Sequence, residues 1–206
     1  MRLKSLLGWL IGLFFATALA AQTPEIPIAP PAPTPENILH LDLSTGGRVS
    51  IQLRPDAAPR HVERIKTLTR QGFYNGLTFH RVIEGFMAQT GDPTGTGEGD
   101  SKLPDVPGEF NPLPHLRGTV SMARTSDPNS ANSQFFIMLA PRFSLDNDYT
   151  VFGRVIGGMN FVDAIEKGEP PANPSRILRA SIASDNVPPP GPGPAVPAVP
   201  QGSPQP

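Results

Sequence analysis

The stretch Phe79-His80-Arg81-Val82-Ile83-Glu84-Gly85-Phe86-Met87-Ala88-Gln89-Thr90-Gly91-Asp92-Pro93 decides how this chain is read. Within nine residues it places a guanidinium (Arg81), two large apolar side chains (Phe86 and Met87) and a carboxamide (Gln89). It carries no closely spaced pair of carboxylates and no cysteine. That set suits a site that grips a short peptide by shape and hydrogen bonding. A second stretch, Asn132-Ser133-Gln134-Phe135-Phe136-Ile137, adds another carboxamide and more aromatic surface.

Outward from these two stretches, strand signals dominate. Ile38 to Leu43 alternates, Gly46-Gly47 suits a tight turn, and Val49 to Leu53 alternates again, which predicts a hairpin. Further strands are expected at Thr78 to Val82, Phe86 to Thr90, Thr119 to Arg124, Gln134 to Leu139, Val151 to Val155 and Arg176 to Ala183. Pro59 suits the first turn of a helix, in which Val62, Ile65 and Leu68 recur at helical spacing before Gly72. A second short helix fits Phe161 to Lys167, closed by Gly168. Asp92 to Gly118, rich in Gly, Pro and Asp, reads as loop. Many short strands with two helices predict a mainly β fold, a closed antiparallel barrel.

The flanks have a different composition. Arg2 and Lys4 precede an apolar run from Leu6 to Leu19, and Ala18-Leu19-Ala20 has the small-x-small form of a cleavage site. Residues 1–20 are therefore expected to be a signal peptide, the run being too short for a stable membrane span. A lipoprotein anchor is excluded because no cysteine follows. Of 27 prolines, six fall between Pro24 and Pro35 and nine between Pro188 and Pro206. Residues 21–36 are read as a proline-rich linker and 188–206 as a proline-rich disordered tail, spacers rather than ligands for a partner's groove. The folded domain is expected over 37–187.

Formal net charge is −1 and the basic residues are scattered, which argues against a nucleic-acid partner or an anionic lipid surface. The absence of cysteine excludes a disulfide framework and a thiolate nucleophile. His40, His61, His80 and His115 show no metal-ligand spacing, and His80 reads as a structural, hydrogen-bonded histidine. Gly95-Thr96-Gly97-Glu98-Gly99 lacks the strand-to-helix context of a phosphate loop and reads as a mobile loop. Ser121, His80 and Asp92 make a triad only on paper, without a nucleophile elbow. Asp146, Asn147 and Asp148 read as a turn rather than a calcium loop. Neither a metal nor a cofactor is expected.

In this order and at this distance, the two opening stretches resemble the cyclophilin family of peptidyl-prolyl cis-trans isomerases, and the resemblance runs from about Ile38 to Ala183. It implies an eight-stranded barrel with a helix capping each open end. It places a catalytic arginine at Arg81, a proline pocket at Phe86, Met87, Phe136 and Leu145, and main-chain peptide contacts at Ala123 and Arg124, whose side chain is then the less constrained part. Gln89 and Gln134, which donate and accept without charge, suit clamping of a peptide backbone. Tyr149 stands where the family often has histidine, Ser144 where it often has tryptophan, Glu84 where proline is common and Arg124 where asparagine is common. These departures resemble bacterial members and imply weak cyclosporin binding. The expected activity is non-covalent acceleration of X-Pro rotation in exported proteins, with proline-containing polypeptides as partners. The alternative is a proline-peptide-binding chaperone or assembly module with little turnover. A monomer is expected, in the periplasm, or secreted where the cell has one membrane.

Overall fold

Leu39, Leu41 and Leu43 alternate with polar neighbours along β1 (Ile38–Leu43), and Val49, Ile51 and Leu53 do the same along β2 (Gly47–Leu53). In the computed structural model, which describes residues 29–189, all six are buried on one face of an antiparallel hairpin. Gly46 makes the turn at φ +102°, which a side chain rarely tolerates. The signal-peptide assignment, residues 21–28 of the linker and 190–206 of the tail lie outside the described residues.

The remaining strands are β3 (Arg81–Ile83), β4 (Met87–Thr90), β5 (Thr119–Met122), β6 (Phe135–Met138), β7 (Val151–Gly157) and β8 (Ile177–Ile182). Together the eight form one antiparallel sheet in the order β3-β4-β6-β5-β7-β2-β1-β8. Helix α1 (Pro59–Arg70) turns Val62, Ile65 and Leu68 into the core. Its first free amides are capped from afar: Glu109 accepts from the backbone N–H of Arg60 (3.2 Å) and His61 (3.1 Å). Helix α2 (Met159–Asp163) sits lower in sequence than the expected Phe161 to Lys167. It starts at Gly158, whose left-handed conformation (φ +80°) lets the backbone pass Arg48 O where a Cβ would collide at 2.2 Å. Beyond its last turn, Lys167 Nζ donates to the carbonyls of Asp163 and Ile165, and the chain turns towards β3.

The barrel is open, not closed as the sequence predicts. The two edge strands, β3 and β8, do not pair with each other. The outer edge of β3 is taken instead by Gly168, which exchanges two hydrogen bonds with Val82 (2.8 and 2.9 Å). Across the seam, Thr78 forms an isolated bridge with Arg176, and Phe79 donates to Ser175 O (2.9 Å). The segment expected to begin β3 at Thr78 is thus spent on the seam.

Candidate active site

Strands β3, β4, β6 and β5 are in register along a row: Arg81 lies opposite Gln89, Gln89 opposite Phe136, and Phe136 opposite Ser121. Alternation does the rest, because residues two apart share a face. Val82, Ala88, Ile137 and Val120 point into the main core. Met87, Phe136 and Met138 point the other way and form a second apolar cluster, with Ile83, Phe86, Ala123, Leu145 and Tyr149 packed against it. The run Phe135-Phe136-Ile137-Met138 is apolar throughout because both faces of β6 are covered.

This second cluster borders a cleft of about 130 Å³ lined by Arg81, Phe86, Met87, Gln89, Ala123, Arg124, Phe136, Leu145 and Tyr149. Nine of the ten residues singled out in the sequence therefore share one cleft. The tenth, Gln134, lies in the adjoining cleft with Gly97, Asp100 and Ser130. Gln134 accepts from Gln89 Nε2 (2.9 Å) and donates to the carbonyls of Gly97 (3.0 Å) and Gly99 (2.9 Å). Its amide hydrogens hold the glycine loop, while its oxygen fixes Gln89.

A network of hydrogen bonds holds that loop against the cleft. Asp92 accepts from Thr94 N, Thr94 Oγ1 (both 2.7 Å) and Gly97 N (2.6 Å). Burial works to raise its carboxyl, but the bonds from Thr94 and from the amides of Gly97 and Gly99 prevail and hold it at about 2. His80 lies beneath the same loop. Burial pushes it below the usual histidine range, with Asp92 and a contact from Gln134 opposing, and neither ring nitrogen reaches full hydrogen-bond geometry with a partner among the described residues. The buried, structural placement agrees with the expectation, whereas the expected hydrogen bonding is reduced to the Gln134 contact.

Two features of the walls escape sequence reasoning. The Arg124 side chain is not free: its guanidinium stacks on the Tyr149 ring at 4.6 Å and donates to Asp148 O through Nε (3.2 Å) and Nη2 (3.0 Å). Arg142 caps the Phe86 ring in the same way at 4.7 Å. Behind the cleft, buried His115 stacks on Phe136 (centroids 6.2 Å apart) and meets Tyr149 edge-on (6.4 Å). Its Nδ1 pairs with Asp146 Oδ1 (2.9 Å) and its Nε2 with Ser121 Oγ (3.2 Å). Burial lowers its pKa, with Asp146 opposing. The trio has the members of a hydrolytic triad without its chemistry, because Ser121 is buried and donates to Thr150 O (2.9 Å). His115 and Asp146 are 31 residues apart, so no local pattern announces the pair.

Arg81 stands at the rim, its side chain 43% exposed, with Nε donating to Glu169 Oε2 at 2.7 Å. Among the described residues it makes no other hydrogen bond, so both terminal amino groups are available.

Comparison with known proteins agrees with this fold. The family model for cyclophilin type peptidyl-prolyl cis-trans isomerase/CLD matches residues 40–182. A probable peptidyl-prolyl cis-trans isomerase of Brucella suis is 49% identical over 170 residues, covering 75% of this chain and 86% of that protein. Cyclophilin AquaCyp293 from Hirschia baltica superposes with a TM-score of 0.70 at 32% identity, covering 76% of this chain and 77% of that one. A Cryptosporidium parvum cyclophilin type isomerase, crystallised in the presence of the dipeptide Ala-Pro, gives a TM-score of 0.66 at 30% identity over 70% of this chain and 98% of that one. The chain belongs to the cyclophilin-type peptidyl-prolyl cis-trans isomerases, an enzyme family. Among the described residues, no helix is long and apolar enough to cross a membrane.

Proposed function

We propose that the protein accelerates X-Pro rotation in exported polypeptides, without covalent chemistry, by stabilising the half-rotated imide with Arg81. Rotation must break amide resonance against a barrier of about 18–20 kcal/mol. Only interactions stronger in the twisted state than in either planar state help. Twisting makes the proline nitrogen pyramidal and gives it a lone pair, so a fixed donor aimed at that nitrogen favours the transition state selectively. Arginine suits the task because it stays charged and presents a planar fork.

The observation that carries this is the row Arg81–Gln89–Phe136. It sets a permanent cation with two uncommitted amino groups beside an apolar cleft. Phe86, Met87, Phe136 and Leu145 would hold the proline ring, Gln89 the peptide backbone, and the main chain at Ala123 and Arg124 the preceding residues. Tyr149, braced by Arg124, closes one wall. The protein acts as a monomer, exported to the periplasm, or secreted from a cell with a single membrane, once residues 1–20 are removed.

Replacing Arg81 by alanine is expected to cut kcat/KM at least tenfold, about 1.4 kcal/mol of transition-state stabilisation. Stability should change little, because the Arg81–Glu169 pair is exposed. A protease-coupled assay on a proline tetrapeptide measures the rate. An Arg81→Ala protein as active as the parent overturns the mechanism.

A further inference from the structure

We propose that Glu169 is a positioning residue for Arg81, holding the guanidinium in its working orientation before substrate arrives. This rests on Arg81 being the donor to the imide.

The placement is built into the backbone. Val82 and Gly168 exchange both N–H···O bonds, at 2.8 and 2.9 Å. In an antiparallel pair this sets the preceding residue of one segment opposite the following residue of the other, so Arg81 faces Glu169. The turn that delivers Glu169 is tightly closed. Gly168 sits at φ +146°, and a Cβ there would meet Pro171 Cα at 2.6 Å and Pro170 O at 2.8 Å. Glu169 therefore approaches Arg81 from a fixed platform. Together with Pro170 it lines the groove that Arg81 shares with Gln89, Thr96 and Arg124.

The contact is selective in a useful way. Glu169 Oε2 takes the Nε hydrogen at 2.7 Å. That is the donor nearest the stem of the side chain, so the bond limits rotation of the guanidinium plane. It leaves the two terminal amino groups to reach the imide nitrogen and a neighbouring carbonyl. A long, half-exposed arginine without such a partner samples several rotamers, and each turnover must then order it afresh. As an exposed ion pair the contact adds little to the stability of the fold. Its consequence falls on the rate.

The test is kinetic, on the full mature chain, with Glu169→Ala, Glu169→Gln, Arg81→Ala and the Arg81→Ala/Glu169→Ala double variant. Melting temperatures check that each is folded. Glu169→Ala is expected to lower kcat three- to tenfold with KM within twofold. Glu169→Gln keeps an acceptor for Nε–H and should restore kcat to within about twofold of the parent. In the Arg81→Ala background, removing Glu169 should change the rate less than twofold, because nothing is left to position. Glu169→Ala matching the parent overturns the proposal. A loss that persists in the Arg81→Ala background also overturns it, since the carboxylate would then act elsewhere. A rise in KM with kcat unchanged overturns it too, by making Glu169 a peptide contact. An Arg81→Ala protein at full activity removes the proposed mechanism itself, whereas an impaired Arg81→Ala beside an unimpaired Glu169→Ala removes only the role of Glu169.

Discussion

Phe135 and Phe136 are adjacent, both buried, and face opposite ways, which makes them a matched pair for separating fold from pocket. Phe136 belongs to the second apolar cluster and contacts His115 and Tyr149 through its ring (6.2 and 5.8 Å between centroids). Phe135 belongs to the main core, edge-on to Tyr74 (5.5 Å) and Phe152 (6.0 Å). Truncating an enclosed core phenylalanine removes its transfer free energy and leaves a cavity, at about 3–5 kcal/mol. The hole left by Phe135→Ala is enclosed in this way. Phe136 already lines an open cleft, so water fills the space and the cavity penalty is largely absent. Its loss should cost about 2–3 kcal/mol, near the transfer value alone. Urea unfolding at pH 7.5 measures both costs. Their effects on the isomerase assay should invert: Phe136→Ala raises KM at least fivefold by removing ring contact, while folded Phe135→Ala, or Phe135→Leu if alanine is too costly, keeps the parent KM. Equal KM for Phe136→Ala and the parent, with stability lost, would make Phe136 a structural residue and refute the pocket assignment.

Acid should begin to destabilise the fold in the histidine range, above the window of the depressed carboxylates. His40, His61, His80 and His115 all sit below the usual histidine range, burial being the first cause in each. A lowered folded pKa means the unfolded chain takes protons first, so stability is complete above about pH 6.5 and falls as pH drops through it. Each histidine whose charging the fold opposes lowers stability with a slope of at most about 1.4 kcal/mol per pH unit, so stability should fall between pH 7 and 5.5; urea midpoints that do not move would refute it. A second loss sets in below about pH 4, where the unfolded chain's carboxylates take protons, and runs down to about 2, where Asp92 in the fold takes its own and the glycine loop is released. Processing after Ala20 would remove Trp9, the only tryptophan in the sequence, so protein recovered from the periplasm should show tyrosine fluorescence alone. Tryptophan emission, or an intact N-terminus on sequencing, would count against export by cleavage.

The alternation of Leu39, Leu41 and Leu43 and the 3.6-residue recurrence of Val62, Ile65 and Leu68 made the hairpin and α1 readable, because each buries one face and the period states which. The cleft was readable for a related reason. The two short stretches that build it lie on strands that pair, so their residue types stay together as motifs. Closure of the barrel was not readable, since it turns on whether β3 meets β8 or Gly168, a competition between partners far apart in the chain. Neither was the bracing of the site. His115 finds Asp146, Arg124 finds Asp148 and Tyr149, and Arg81 finds Glu169 88 residues away, contacts that exist only once the sheet has curled. Local spacing determined which side chains line the cleft. The tertiary structure alone decided how each is held, because orientation comes from partners that sequence order keeps apart.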